Sequence, residues 1–170
     1  VFTASLSECK PSTLKTAFNE EVEKRVPRDN FYHTLITAAH QFHNRNGEDK
    51  YLLAGYPWFK VRARDTFISL PGLTLAIDEV DYFNAIMSTA VRGLREFMPG
   101  KPLTVKIYEV EQPDVMLWAI WSIQQYAKKV GIEAASKEYG DLVVDIIKYI
   151  EGEKHIHLQP KENGLLHTDG

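Results

Sequence analysis

The chain has 170 residues, 44% hydrophobic and 25% charged, with 20 Lys and Arg against 23 Asp and Glu and a formal net charge of −3. Such a chain is long enough to bury one real core, and its interspersed acids and bases leave no like-charged block for nucleic acid or an anionic membrane. Cys9 is the single cysteine, which excludes an internal disulfide or a thiolate metal site, and no run of 18 apolar residues or charged-then-apolar leader appears, so the expected compartment is cytoplasmic.

The N-terminal VFTASLSE alternates small or apolar with polar residues like an extended strand, and KPSTLKTAFNEEVEKR reads as a helix capped by Ser12 or Thr13. FYHTLITAAHQFHNRNG, residues 31–47, carries apolar residues at 31, 32, 35, 36, 39 and 42, which predicts a second, half-buried helix closed by Asn46-Gly47. A third helix is predicted from Asp65-Thr66 to about Ile77, and Pro71 inside it should kink or break it. VDYFNAIMSTAVRGLREFM is amphipathic and stops at Pro99-Gly100. PDVMLWAIWSIQQYAKKVG has Pro113 and Asp114 at its first positions and Gly131 after its last turn, the usual asymmetry of helix ends. EYGDLVVDIIKYIEGE supplies another helix, with Val143, Val144, Ile146, Ile147 and Ile150 expected inward. HIHLQP alternates like a short strand or extended loop, and KENGLLHTDG offers an Asn-Gly turn. The reading is mainly α, about six helices with short extended segments at the two ends. A bundle, a solenoid and a helical toroid all satisfy that pattern.

One stretch stands out chemically. AGYPWFKVRARDTFISLPGL, residues 54–73, sets Tyr56, Trp58 and Phe59 beside Lys60, Arg62, Arg64 and Asp65, directly before an apolar run. Sugar rings pack their C–H faces on aromatic side chains, and their hydroxyls bond well to guanidinium and carboxylate groups. Arg64 and Asp65 place both groups in one dipeptide, at a helix start whose dipole favours the carboxylate. The same residues also fit an ordinary helix start, with Asp65 as a cap and Trp58 and Phe59 as core.

The motifs AGYPWF and RDTFISLPGLTLA resemble the signature of the glycogen debranching enzyme family, in its amylo-α-1,6-glucosidase catalytic domain. EQPDVMLW, residues 111–118, is similar to a second block of that family, and AAHQFHNRNG resembles the helix preceding the first motif. The resemblance implies an incomplete (α/α)6 toroid, with residues 1–8 ending a β-rich domain, 9–29 forming a connecting helix and 30–170 forming the N-terminal half of the toroid. The rest of the parent chain would complete it. It implies hydrolysis of α-1,6-linked glucose at branch points by an inverting mechanism. Arg64, Asp65 and Asp114 would hold the terminal glucose, and Trp58 would be a wall or stacking platform. The acid and base are expected beyond Gly170, so the isolated chain is expected to be inactive. The implied partner is a branched α-glucan or malto-oligosaccharide, with no cofactor and no nucleic acid or membrane.

The sequence departs from the family where Arg62-Ala63 replaces Trp-Gly, which would strain any positive-φ backbone at Ala63, and where Gln112-Pro113 replaces Asn-Thr. KPLTVKIYE poorly represents the family's equivalent stretch. The alternative function is a non-catalytic glucan-binding or scaffold domain. His33, His40, His43 and the His155-x-His157 pair fit no known metal motif, so no metal is expected.

Overall fold

The computed structural model describes residues 8–56 and 58–168, so the strand expected from VFTASLSE lies, but for Glu8, outside the described residues. The chain divides into two compact units, one ending at His40 and one beginning at Gln41.

The first unit holds two helices, α1 (Pro11–Glu23) and α2 (Phe31–His40). Neither Ser12 nor Thr13 caps α1: Pro11 occupies the first helical position, where its missing N–H costs nothing, and Lys10 stands extended before it. Asn30 caps α2, its side-chain oxygen accepting the His33 amide at 2.8 Å. Phe31, Tyr32 and Leu35 are 78, 53 and 50% exposed, so this apolar stripe meets solvent.

The second helix is shorter than its periodicity predicts. It ends at His40, and residues 43–52 form an antiparallel hairpin of β1 (His43–Asn46) and β2 (Asp49–Leu52), with His43 opposite Leu52 and Asn46 opposite Asp49. Asn46-Gly47, read as a helix stop, is a hairpin turn, with Gly47 at φ +65° in a two-residue loop that needs a left-handed residue. Tyr51 and Leu52 are buried, and β2 packs on α4 (Val80–Phe97). Extended structure is therefore not confined to the chain ends.

The scaffold of the second unit is α3 (Ala63–Leu73), α4, α5 (Val115–Val130) and α6 (Ile132–Glu151). Pro71 sits in the last turn of α3, which stops two residues later and gives way to a 3-10 turn over Leu75–Ile77, closed by Asp78 at φ +63°. Ala63 is the buried first residue of α3 and is not among the positive-φ residues, so the strain expected there does not arise. In α6 the buried stripe is Ala135, Tyr139, Leu142, Ile146 and Ile150, whereas Val144 and Ile147, expected inward, are 46 and 43% exposed. A helix buries about one stripe, and the paired Val-Val and Ile-Ile steps span more than its width.

Contacts at the helix ends fix their directions. The starts of α3 and α5 meet through Arg64 and Asp114, and Lys129 near the end of α5 bonds Asp78 just past α3. Tyr139 Oη, early in α6, donates to Asn84 Oδ1, early in α4, at 2.8 Å, while Asn84 Nδ2 donates to Tyr126 Oη, late in α5, at 3.3 Å. So α3 runs with α5 and α4 runs with α6, the two pairs pointing oppositely. Alternate helices running together is what successive inner and outer helices of a toroid require, and α3 to α6 are consistent with part of one. Phe83 stacks on Tyr126 at 4.9 Å, and Tyr139 meets Tyr126 edge-on at 5.4 Å, a core that raises the Tyr139 phenol well above its usual range through burial and the nearby Glu138 charge. At the C-terminus, β3 (Leu158–Pro160) pairs antiparallel with β4 (Leu166–Thr168) across the predicted Asn163-Gly164 turn. No helix among the described residues is long and apolar enough to cross a membrane.

Candidate functional site

Two neighbouring places on the second unit hold the residues singled out by sequence. The first is the meeting of two helix starts. Arg64, second residue of α3, points its guanidinium at Asp114, the N-cap residue of α5, with Nε and Nη2 at 3.0 and 2.9 Å from Oδ1. The other oxygen, Oδ2, accepts the Trp118 indole N–H at 3.1 Å, one turn along α5. The Asp114 side chain therefore makes no capping bond of its own. It holds two side chains in register, one of them Arg64, 50 residues earlier in the chain. Trp118 is packed against the core, and its indole N–H is committed to Asp114.

Among the described residues Arg64 Nη1 has no partner, and the side chain stays 44% exposed, so it can bind a further acceptor while paired. Asp65 is exposed in the first turn of α3, where the partial positive charge of the helix start favours a carboxylate. Among the described residues its side chain has no hydrogen-bond or ion-pair partner, whereas its backbone oxygen takes the Ser69 hydroxyl at 2.6 Å. The junction thus combines guanidinium, a fixed carboxylate and an uncommitted one.

The second place is built from loops. Residues 54–55 pair back on residues 59–60: Gly55 bridges Phe59, and the Ala54 amide donates to Lys60 O at 3.1 Å. The turn is tight because residue 55 is glycine; a Cβ there would lie 3.2 Å from Phe59 Cδ2. Residues 61–63 then run parallel to Tyr108, with Tyr108 N–H to Val61 O at 2.9 Å and Ala63 N–H to Tyr108 O at 3.0 Å. Between these segments lies a groove of about 570 Å³ lined by Trp58, Phe59, Arg62, Tyr108, Glu109 and neighbours. Arg62 bonds Glu109 at 3.3 Å and lies 5.1 Å from the Phe59 ring centre, and Lys60 sits 4.7 Å over Tyr108. Glu109 adopts φ +60°, a conformation that costs a non-glycine residue about 1–2 kcal/mol.

The loop before α5 is clamped onto α4. Glu96 accepts the Thr104 amide at 2.8 Å and its hydroxyl at 2.5 Å, which holds the Glu96 carboxyl below the usual range. Val105 lies on Gly93, where a Cβ would approach to 3.0 Å, and the Lys106 amide donates to Tyr51 Oη at 3.2 Å. The segment that leads into the groove wall is thus held by α4 and by β2.

Of the four predicted residues, the structure brings Arg64 and Asp114 into contact, leaves Asp65 exposed next to Arg64, and puts Trp58 in the groove, 83% exposed rather than in a core. Sequence reading noted Arg62 within the charged and aromatic stretch without giving it a role, and it missed Tyr108 and Glu109. The only local signal was a charged and aromatic run, YEVE at 108–111, whose partner lies 46 residues earlier.

Comparison with known proteins gives one family. No curated protein and no solved structure gives a match. A family model described as Amylo-alpha-1,6-glucosidase matches residues 35–170, which takes in the hairpin, both motif blocks, the groove and all four scaffold helices of the second unit. With most of its length matched, this chain belongs to the amylo-alpha-1,6-glucosidase family, the debranching-type glucosidase domain.

Proposed function

We propose that the junction of α3 and α5 binds the terminal glucose of an α-1,6-linked branch, as the sugar-holding part of an inverting glucosidase site. The observation that carries this reading is the Arg64–Asp114 pair with an exposed, uncommitted Asp65 beside it. Neutral sugars need alternating donors and acceptors at fixed spacing. Arg64 supplies donors only, and the carboxylates of Asp65 and Asp114 supply acceptors only, so vicinal hydroxyls can donate to one group and accept from the other. Trp58 adds an exposed aromatic face for the C–H side of the same ligand.

Hydrolysis with inversion requires a carboxylic acid for the departing oxygen and a carboxylate for the attacking water, roughly 6.5–9.5 Å apart. We assign neither task to Asp114. Both its oxygens already accept from protein donors, so it orients groups and does not activate water. Its work is to align Arg64 against the ligand.

Titration calorimetry of the full chain with isomaltose tests the reading. Asp65→Asn and Arg64→Gln each remove a charged hydrogen-bond partner and should weaken binding by roughly 10- to 100-fold. Isomaltose affinity unchanged in both variants would sink it.

A further inference from the structure

We infer that the tip of the β1–β2 hairpin is a site of covalent self-modification, where the Gly47 backbone nitrogen displaces the side-chain amide of Asn46 and the product loosens the ties of β2 to α4 and to the loop before α5.

The residue after each asparagine selects the site. Attack by the following backbone nitrogen closes a five-membered ring, an intramolecular step whose rate follows how easily the two atoms meet, and glycine leaves that approach free of a side chain. Of the six asparagines, Asn46 and Asn163 are the two that precede glycine. Both are exposed. Their hydrogen bonds separate them. At Asn163 both reacting groups are engaged, since Oδ1 accepts the Leu165 amide at 3.1 Å and the Gly164 amide donates to Lys161 O at 2.9 Å. At the hairpin tip, neither the Asn46 side chain nor the Gly47 amide has a hydrogen-bond partner among the described residues. A Cβ at Gly47 would meet nothing within 4 Å, so water reaches this peptide bond. What restrains Asn46 is its pairing with Asp49, the last of the ladder, and terminal pairs open most readily.

The chemistry needs only water. The Gly47 nitrogen gives its proton to solvent and bonds to Asn46 Cγ, the carboxamide C–N bond breaks, and ammonia leaves after taking a proton from solvent. Water then opens the cyclic imide at either carbonyl. One opening restores the ordinary backbone with aspartate at position 46; the other leaves isoaspartate, with an extra methylene in the main chain. One water is consumed and one ammonia released, and nothing is oxidised or reduced.

Either product places a new carboxylate beside Glu48 and Asp49, and like charges facing each other across a ladder destabilise it. Asp49 is the wrong residue to disturb. Its Oδ1 accepts from Arg92 of α4, its Oδ2 accepts the Tyr51 hydroxyl at 3.2 Å, and that hydroxyl accepts the Lys106 amide at 3.2 Å. The turn is therefore linked through side chains to α4 and to the segment that leads to Tyr108.

Peptide mapping by mass spectrometry, on the full chain aged in warm neutral buffer, tests the assignment. In the folded chain Asn46 should convert ahead of Asn163 by roughly 2- to 10-fold, the population penalty for breaking an ordinary hydrogen bond. In denaturant the two should convert at matching rates. Asn163 converting first, or the same preference persisting in denaturant, would overturn the assignment. Amide NMR tests the consequence: Tyr51 and Lys106 should shift as Asn46 converts, and Asn46→Gln, which keeps an amide but must close a slower six-membered ring, should age without those shifts. An unmoved Lys106 in the converted chain, or equal shifts in aged Asn46→Gln, would overturn the link to the loop before α5.

Discussion

The junction and the groove are neighbours in sequence but are held by different means. At the junction, two parallel helices fix where Arg64 and Asp114 begin, and the final alignment needs only one ion pair and one indole bond. In the groove, the side chains ride on loops whose position comes from a parallel bridge, a glycine-tight turn and a segment clamped to α4. Helix-borne groups inherit rigidity from the core, whereas loop-borne groups need a dedicated contact for each degree of freedom. Perturbing those contacts should therefore damage the groove first.

The largest expected effect tests that ordering directly. Gly93→Ala would push a methyl to 3.0 Å from Val105 Cγ2, and Val105 lies in the chain between Leu103 and Ile107, which line the groove. Overpacking of this kind costs about 1–3 kcal/mol, read as a lower denaturant midpoint. Shift changes should concentrate at 103–111 and fade at Trp118. Equal disturbance of Arg64 and Trp118 would mean that the two regions share one support.

Next in size is a pH effect that arises outside both regions. His155 is 2% exposed and packs against Phe97 and Tyr149 at 6.1 Å, and its Nδ1 accepts the His157 amide at 3.1 Å. That bond fixes the neutral ring with its proton on Nε2, which is buried without a partner among the described residues. Burial, and then the charge of His157, lower the His155 pKa from 6.5. The unfolded chain then binds the proton more readily than the folded one. Stability is present above about pH 6.5 and is lost as pH falls toward the depressed folded value, with a slope of at most ~1.4 kcal/mol per pH unit for one proton. His155→Phe should flatten the midpoint-against-pH curve between pH 7 and 5. An unchanged curve would place the acid sensitivity elsewhere.

What sequence could and could not foresee follows the same division. Pro113-Asp114 and Gly131 were readable as the ends of α5, and Pro99-Gly100 as the end of α4, because caps and breakers act within a turn of themselves. Arg64, Asp65 and Asp114 were consequently found at helix starts. The hairpin was missed because Phe42 falls on the helical spacing of α2 and because Asn-Gly serves both a helix stop and a hairpin turn. Only the burial of Tyr51 and Leu52 against α4 decides between them, and that contact is nonlocal. Tyr108 and Glu109 were missed for the same reason: nothing near them in sequence shows that they lie beside Val61 and Arg62. The exposed Val144 and Ile147 repeat the lesson on a smaller scale, since four apolar residues in five positions do not say which stripe α5 covers.

The smallest expected effect sharpens the comparison most. If the Arg64–Asp114 pair existed to stabilise the fold, a double-mutant cycle with Arg64→Met and Asp114→Asn would show strong coupling. The pair is 44 and 38% exposed, however, and solvent screens it, so its coupling should be about 0.2–1 kcal/mol. Most of the folding free energy at this place belongs to the burial of Ala63, Phe67, Val115 and Met116 behind it, which neither substitution touches. A weakly coupled pair still fixes side-chain direction, because Asp114 also holds Trp118 and the helix starts cannot slide past one another. Coupling well above 1 kcal/mol in chemical denaturation would make the pair a structural tie, and the junction would lose its distinction from the clamped groove.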